Sequence, residues 1–141
     1  MLKLLIINGP NLNLLGARQP EIYGERTFED FLAELRFQFP GIELDYFQSN
    51  HEGTIIDRLH RLNAETRGVI LNAGALTHYS YAIADAISAM SAPVVEVHIS
   101  NVYARESFRR HSVLTPVCQG SISGLGLDGY RLAVLHLLGR E

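Results

Sequence analysis

The sequence predicts a single α/β domain over residues 1–141, in which two layers of helices enclose a five-stranded parallel sheet. The chain has 141 residues, of which 47% are apolar and 19% are charged, a balance typical of globular proteins. Short apolar runs alternate along it with segments of helical spacing. That alternation is typical of βαβ units, whose strands run parallel.

The first part of the chain contains two predicted strands with a helix between them. Residues 2–7 are apolar almost throughout, as expected for a strand that is covered on both faces. Thr27 is a predicted N-cap, and apolar side chains then recur at helical spacing until Pro40-Gly41 ends the helix. Residues 42–47 form the second predicted strand.

The rest of the chain continues the alternation and adds three strands. Its predicted elements are a helix opened at Gly53 and closed near Gly68, a strand over 68–71, a helix over 78–90, a strand over 94–99, a basic helical turn over 105–110, a short strand over 117–121 and a helix over 125–138. For five strands in a chain of this size we predict a flavodoxin-like three-layer sandwich with strand order 2-1-3-4-5.

Composition argues against several classes of function. The formal net charge is −3, whereas a nucleic-acid-binding surface needs an excess of positive charge. Cys118 is the single cysteine, so we expect no internal disulfide and an inert, packed thiol. No apolar run approaches the ~20 residues of a membrane span, and the N-terminal run is too short for a signal peptide. We therefore expect a cytoplasmic protein that binds neither nucleic acid nor membrane.

Polar residues follow three of the predicted strands, where ligands bind in open parallel sheets. Residues 8–11 follow the first strand, residues 72–74 the third and residues 98–101 the fourth. Arg105 and Arg109 come next and, being four apart, are predicted to share one helical face; the alternative is an ordinary basic surface. These amides, a histidine, a serine and arginines suit a small, polar, anionic ligand.

The connection between the first strand and the first helix is longer than the ~2–6 residues typical of such loops. Its second part, residues 16–24, has a glycine at each end and is a predicted mobile lid. The lid carries Arg18 and Tyr23. Because a nearby guanidinium favours the phenolate, the pair suits a general base. The alternative is a solvated arginine and a tyrosine packed on the surface.

Two more pairs of polar residues have informative spacing. Glu96 and His98 are two apart in a predicted strand and so share a face, which lets the carboxylate orient the imidazole as a proton donor. His78 and Asp85 are seven apart, two turns of a helix, and are predicted to share one helical face. The alternatives are a histidine that merely lies at the rim of the sheet and a helix with a polar exposed face.

Several short patterns that resemble ligand-binding motifs are incomplete. Residues 124–129 match GxGxxG, but too little chain follows for a dinucleotide-binding unit. Ile122 occupies the position that a nucleophile elbow gives to serine. His51-Glu52 lacks the second histidine of HExxH, and no cysteine or histidine cluster has zinc spacing. These patterns therefore predict neither a dinucleotide-binding unit nor a zinc site.

Longer motifs occur in a fixed order along most of the chain. They are NGPNLNLLG at 8–16 followed by Arg18 and PEIYG at 20–24, QSNHEG at 48–53, NAGA at 72–75 with THYS at 77–80, and EVHISN at 96–101 followed by Arg105-Glu106 and Phe108-Arg109. With this set the chain resembles the type II 3-dehydroquinate dehydratases.

The resemblance implies a flavodoxin-like fold and the dehydration of 3-dehydroquinate to 3-dehydroshikimate. It implies anti (trans) elimination through an enolate, without a metal or an organic cofactor, in the shikimate pathway or in quinate catabolism. It also implies a homo-oligomer, with trimers assembled into a dodecamer.

By the same resemblance, Tyr23 removes the C2 proton, with Arg18 favouring its phenolate. His98, with Glu96 as partner, protonates the departing C1 hydroxyl, and Asn11 helps to hold a water at the enolate oxygen. Five further positions match substrate-binding residues of the family: Asn72, His78, Ile99, Ser100 and Arg109. Asp85 matches a substrate-binding residue that a neighbouring subunit supplies. Arg105 matches a further active-site arginine.

One position departs from the family pattern. Gln19 stands where many relatives have glutamate, which removes a negative charge beside Arg18 and bears on lid closure. The non-enzymatic alternatives are a flavin carrier and a phospho-receiver. A receiver needs acidic residues after the first and third strands, where this chain has Asn8 and Asn72. Another lyase or isomerase acting on a hydroxylated cyclic acid is the enzymatic alternative.

Overall fold

The computed structural model describes residues 1–17, 21 and 25–139, and over these ranges the chain forms one five-stranded sheet. The strands are β1 (Leu2–Asn8), β2 (Ile42–Gln48), β3 (Thr66–Asn72), β4 (Val94–His98) and β5 (Gly120–Ser123). All neighbouring strands are parallel, in the order β2-β1-β3-β4-β5. The predicted fold class and strand order are therefore confirmed.

Helices lie on both faces of the sheet and complete the three layers. They are α1 (Phe28–Gln38), α2 (Glu52–His60), α3 (Tyr81–Ser88) and α4 (Asp128–Leu138). The apolar side chains of α1 and α4 form one core with Leu4 and Ile6 of β1, and those of α2 and α3 form a second core with Leu5 and Ile7. Successive residues of a strand point to opposite faces, so β1 supplies both cores.

The first helix begins where its predicted cap lies. Thr27 has an extended backbone, and its Oγ1 accepts a hydrogen bond of 3.1 Å from the amide of Asp30. This bond satisfies one of the amides that a helix leaves unpaired at its N-terminus. Downstream, Phe28, Leu32 and Leu35 are buried, which confirms the predicted apolar face.

The predicted helix over 78–90 is in fact two elements. A 3-10 turn spans Gly74–His78, and α3 begins only after Ser80, whose hydroxyl accepts from the amide of Ile83 at 3.0 Å. The prediction that His78 and Asp85 share one helical face is therefore wrong, because His78 precedes the helix.

The predicted basic helix over 105–110 is also wrong in detail. Two 3-10 turns, Val102–Ala104 and Ser107–Arg110, replace it, and Arg105 lies between them with an extended backbone. Arg105 and Arg109 thus do not share one helical face. A further 3-10 turn spans Leu12–Leu14, in the connection that follows β1.

The last strand begins three residues later than predicted. Thr115–Val117 form a 3-10 turn with Pro116 in its first turn, and the amide of Cys118 bonds back to the carbonyl of Leu114 at 3.1 Å. Pairing with β4 starts only at Gly120, beside Val95.

A close backbone contact joins the loops that follow β1 and β3. The amide of Gly9 donates to the carbonyl of Asn72 at 2.7 Å. A Cβ at Gly9 would lie 2.5 Å from the carbonyl oxygen of Ala73, a distance that side chains do not tolerate. Glycine at position 9 therefore lets the two loops meet at the carboxyl edge of the sheet.

The proposed lid over residues 16–24 falls largely outside the described residues, and Arg18, Gln19 and Tyr23 are among those outside. Within the described part of the chain, none of the helices has the length and apolar character needed to cross a membrane.

Candidate active site

A cleft of about 250 Å³ opens at the carboxyl ends of β1, β3 and β4, where ligands bind in open α/β sheets. Most of the residues predicted for the site line it: Asn11, Asn72, His78, His98, Ile99, Ser100, Arg105 and Arg109. The sheet therefore brings together residues that are up to about a hundred positions apart in the sequence, as the strand-end rule predicts.

His98 forms a pair with Glu96 at the end of β4. Its Nε2 lies 2.6 Å from Oε2 of Glu96, which is 1% exposed. The same carboxylate also accepts hydrogen bonds from the hydroxyls of Thr77 at 2.7 Å, Ser112 at 2.8 Å and Thr115. The predicted contact between Glu96 and His98 is thus present, and three hydroxyl groups surround the carboxylate.

These hydrogen bonds determine the protonation state of the carboxylate. Burial by itself would raise the pKa of Glu96, but the hydrogen bonds from His98, Thr115 and Thr77 outweigh it and lower the pKa to about 2. Glu96 is therefore ionised at neutral pH and can only accept. The proton of the pair consequently lies on Nε2 of His98, which leaves Nδ1 as the nitrogen that is available to a ligand.

Asn11 has the left-handed backbone that few residues other than glycine adopt. Its φ is 69°, and its amide donates to Oδ1 of Asn50 at 3.0 Å. Gln48 donates from Nε2 to the same Oδ1 at 3.1 Å and to the carbonyl of Gly9 at 3.2 Å. Asparagine tolerates this conformation better than most residues. The end of β2 therefore holds in place the turn that brings Asn11 to the cleft.

Asn72 is held by contacts at both ends of its amide. Its Oδ1 accepts from the amide of Gly74 at 3.1 Å, and its Nδ2 donates to the hydroxyl of Tyr130 at 2.9 Å. Tyr130 in turn donates to Oδ1 of Asn8 at 2.7 Å. Sequence reasoning missed Tyr130. The available signal was the pair of asparagines ending neighbouring buried strands, since buried amides require partners.

Two arginines give the cleft its positive charge. Nη1 of Arg105 donates to the Ser100 hydroxyl at 3.0 Å. Arg109 bonds to Glu106 at 3.2 Å, and its guanidinium lies 4.7 Å from the centre of the Phe108 ring. Guanidinium groups bind carboxylates well, so this side of the cleft suits an anionic ligand.

Two predicted site residues of the described chain, Glu96 and Asp85, are absent from the cleft lining. Glu96 lies behind His98, with which it shares a hydrogen bond. Asp85 is on the exposed side of α3 and is absent from the cleft lining. Arg18 and Tyr23 lie outside the described residues.

The thiol of Cys118 is not ionised for nucleophilic chemistry. Burial and, to a smaller extent, the charge of Glu96 raise the pKa of the Cys118 thiol to about 12, so this thiol stays neutral at physiological pH. Over residues 1–17, 21 and 25–139, no cluster of three or more histidine, cysteine, aspartate or glutamate side chains is suited to hold a metal ion.

Comparisons with known proteins agree on one family. Residues 2–138 match the family described as dehydroquinase class II. The proteins named 3-dehydroquinate dehydratase of Bacillus pumilus and Bacillus subtilis are 58% and 55% identical to this chain; the matches cover 95% and 97% of this chain and 92% and 94% of the relatives. The crystal structure of the type II dehydroquinase from Butyrivibrio crossotus superposes with a TM-score of 0.94 at 47% identity, over 98% of both chains.

Proposed function

Since the chain belongs to the class II dehydroquinase family, we propose that it dehydrates 3-dehydroquinate to 3-dehydroshikimate as an enzyme of the shikimate pathway. The observation that carries this proposal is the His98–Glu96 pair beside a cleft of amides and guanidinium groups. The substrate is a hydroxylated cyclic carboxylate with a ketone, and this cleft offers donors for each of those groups.

The elimination makes three chemical demands. A base must remove the proton at C2, next to the ketone, and fixed donors must stabilise the charge that develops on the ketone oxygen. An acid must protonate the C1 hydroxyl, because hydroxide is a poor leaving group.

His98 is the proposed acid. With Nε2 bound to ionised Glu96, Nδ1 is the atom that donates a proton to the departing hydroxyl. The carboxylate at 2.6 Å orients the ring and offsets the positive charge that the ring carries before the transfer. The proton moves from Nδ1 to oxygen as the C1–O bond breaks, and water leaves.

Tyr23 is the proposed base, on the strength of the family motif. An ordinary phenol has a pKa of about 10 and is a weak base at neutral pH. A guanidinium favours the phenolate, and we assign that task to Arg18. Removal of the C2 proton on one face of the ring and loss of the hydroxyl from the other give the anti course.

The remaining cleft residues supply binding. Asn11 helps to hold the water that contacts the enolate oxygen, and Arg105, Arg109 and Ser100 face the polar groups of the substrate. Asn72, His78 and Ile99 complete the binding set. No metal or organic cofactor takes part in this mechanism.

A neighbouring subunit completes the proposed site. Asp85 matches a family position that contributes across a subunit boundary, and its exposed place on α3 leaves it accessible to another copy of the chain. We propose trimers assembled into a dodecamer.

The test follows the ultraviolet absorbance of the conjugated enone product during incubation with 3-dehydroquinate. We expect that chelators do not affect turnover, and that enzyme treated with borohydride in the presence of substrate is fully active once both have been removed. Tyr23→Phe should lower kcat by at least about 100-fold, because a general base contributes that much. The Kd for quinate, which carries a hydroxyl where the substrate has its ketone, should stay close to the wild-type value. Absence of the enone would refute the function, and near-normal kcat in Tyr23→Phe would remove Tyr23 from its role.

A further inference from the structure

Tyr130 connects the core to the cleft without being part of the cleft lining. It lies on α4 and is fully buried, and its ring packs edge-on against Phe28 with the centroids 5.0 Å apart. Its hydroxyl lies between Asn8 and Asn72, the last residues of β1 and β3, which are paired in register.

The hydrogen bonds around this hydroxyl have a defined direction. Asn8 donates from Nδ2 to the hydroxyl of Tyr46 at 3.3 Å, so its Oδ1 is the atom that faces Tyr130. Tyr130 gives its single proton to that Oδ1 and can therefore only accept from Asn72. Gly74 donates to Oδ1 of Asn72 and fixes the same orientation of the amide. One proton of Asn72 Nδ2 is taken by Tyr130, and the other is available to a ligand in the cleft.

We propose that Tyr130 is a positioning residue that orients the Asn72 amide as a hydrogen-bond donor to an oxygen of the substrate. The proposal rests on the function proposed above and deepens it, because it requires the bound ring to present a hydroxyl or carboxylate oxygen to Asn72. An amide turned by half a rotation would present its own oxygen and would repel such a group.

The environment of Tyr130 keeps its hydroxyl in the form that this role needs. Burial raises the pKa of Tyr130 far above the ordinary value for tyrosine, and the hydrogen bonds that its hydroxyl accepts from Asn72 and donates to Asn8 only partly offset this. The hydroxyl therefore stays protonated over the whole physiological range. It donates to Asn8 without interruption and does not act as a base.

The first experiment compares Tyr130→Phe with Tyr46→Phe. Both variants keep the aromatic ring and lose one hydroxyl that touches Asn8, but only the Tyr130 hydroxyl touches Asn72. We expect Tyr130→Phe to raise KM for 3-dehydroquinate and Kd for quinate by about three- to ten-fold, the value of one hydrogen bond, with kcat changed by less than about two-fold. Tyr46→Phe should leave KM and Kd within about two-fold of wild type. Unchanged KM and Kd in Tyr130→Phe, or an equal rise in both variants, would overturn the proposal.

A double-mutant cycle with Asn72→Ala tests whether Tyr130 acts through Asn72. We expect Tyr130→Phe to have no further effect on Kd in the Asn72→Ala background, because the amide that it orients is gone. If the two substitutions instead weaken binding additively, Tyr130 acts on Kd by a route other than Asn72. If Tyr130→Phe does not fold, Asn8→Ala replaces it, since this change removes the acceptor and frees the Tyr130 hydroxyl to reorient.

The outcomes separate this inference from the proposed function. A wild-type protein that neither converts 3-dehydroquinate nor binds quinate refutes both. If the wild-type protein converts 3-dehydroquinate and binds quinate, and the Tyr130→Phe variant does both equally well, the positioning role alone is refuted.

Discussion

Glu96 is the residue on which the polar contacts at the end of β4 converge. Its carboxylate receives hydrogen bonds from His98 and from the hydroxyls of Thr77, Ser112 and Thr115. A buried carboxylate is costly unless its oxygens are hydrogen-bonded. The three hydroxyls therefore keep a negative charge beside His98 in a place that is closed to water.

The depressed pKa of Glu96 predicts how stability depends on pH. The pKa is about 2 in the folded protein and 4.5 for an ordinary glutamate, so the stabilisation is complete above pH 4.5 and is lost as the pH falls towards 2. By linkage it amounts to about 3 kcal/mol at most. Urea unfolding between pH 6 and pH 3 should show a falling free energy of unfolding.

Glu96→Gln is the matched variant for this measurement. It retains the shape of the side chain but does not titrate, so the stability gap between it and the wild type should shrink as the pH falls through the same window. A gap that stays constant from pH 6 to pH 3 would mean that Glu96 is not the group responsible.

Some contacts between residues of the site could be predicted from the sequence, and others could not. The approach of Glu96 to His98 follows from strand periodicity, because residues two apart share a face. The contacts of Glu96 with Thr77 and Ser112 join segments far apart in the chain, and no local period encodes them. The same is true of Tyr130 and Asn72.

At the scale of elements, Ser80 joins two helices. Its hydroxyl accepts from the amide of Ile83 at the start of α3 and donates to Oε2 of Glu52 at the start of α2, at 2.5 Å. The side chain is 1% exposed. Ser80 therefore both caps α3 and ties it to the neighbouring helix.

Ser80→Ala should destabilise the protein more than Thr27→Ala does. Thr27 is exposed, and its role is that of a cap. Loss of this cap is expected to lower the free energy of unfolding by about 1 kcal/mol. Ser80→Ala loses the cap and also removes the buried hydroxyl that donates to Glu52. We therefore expect the free energy of unfolding to fall by about 2 kcal/mol or more. Chemical denaturation of both variants measures the difference, and equal losses would contradict the linking role of Ser80.

The same hydroxyl explains one error in the predicted elements. Apolar spacing runs on across residues 76–87, so periodicity alone does not separate the 3-10 turn at Gly74–His78 from α3. The cap at Ser80 makes that division through a hydrogen bond rather than through hydrophobicity. Likewise, β5 begins later in the chain than its apolar pattern does, because Pro116 and the hydrogen bond from Cys118 to Leu114 hold the preceding residues in a turn.

For the whole molecule, the fold was the most predictable property. Alternating apolar runs and helical segments define the three layers without any knowledge of long-range contacts. The strand order follows from a general rule for doubly wound sheets, and the pairing of β1 with both β2 and β3 confirms it. The residues at the strand ends then meet because the order brings β1, β3 and β4 side by side.

Assembly gives a prediction at the same scale. If Asp85 completes the site of a neighbouring subunit, Asp85→Ala and Tyr23→Phe should each be nearly inactive alone. Co-expression should restore roughly a quarter of wild-type activity, because random pairing unites an intact Tyr23 with an intact Asp85 in that share of sites. Activity no greater than the sum of the separate variants, in mixed oligomers verified by mass, would contradict a shared site.

The interior position of β1 in the sheet has a consequence for how the protein is made. Leu5 lies between Asp45 of β2 and Val69 of β3, although β1 leaves the ribosome before either of these neighbours. The most apolar strand must therefore wait until the middle of the polypeptide has been synthesised before it gains both neighbours. Such long-range pairing slows folding, and newly synthesised β1 is the segment that a chaperone would be expected to shield.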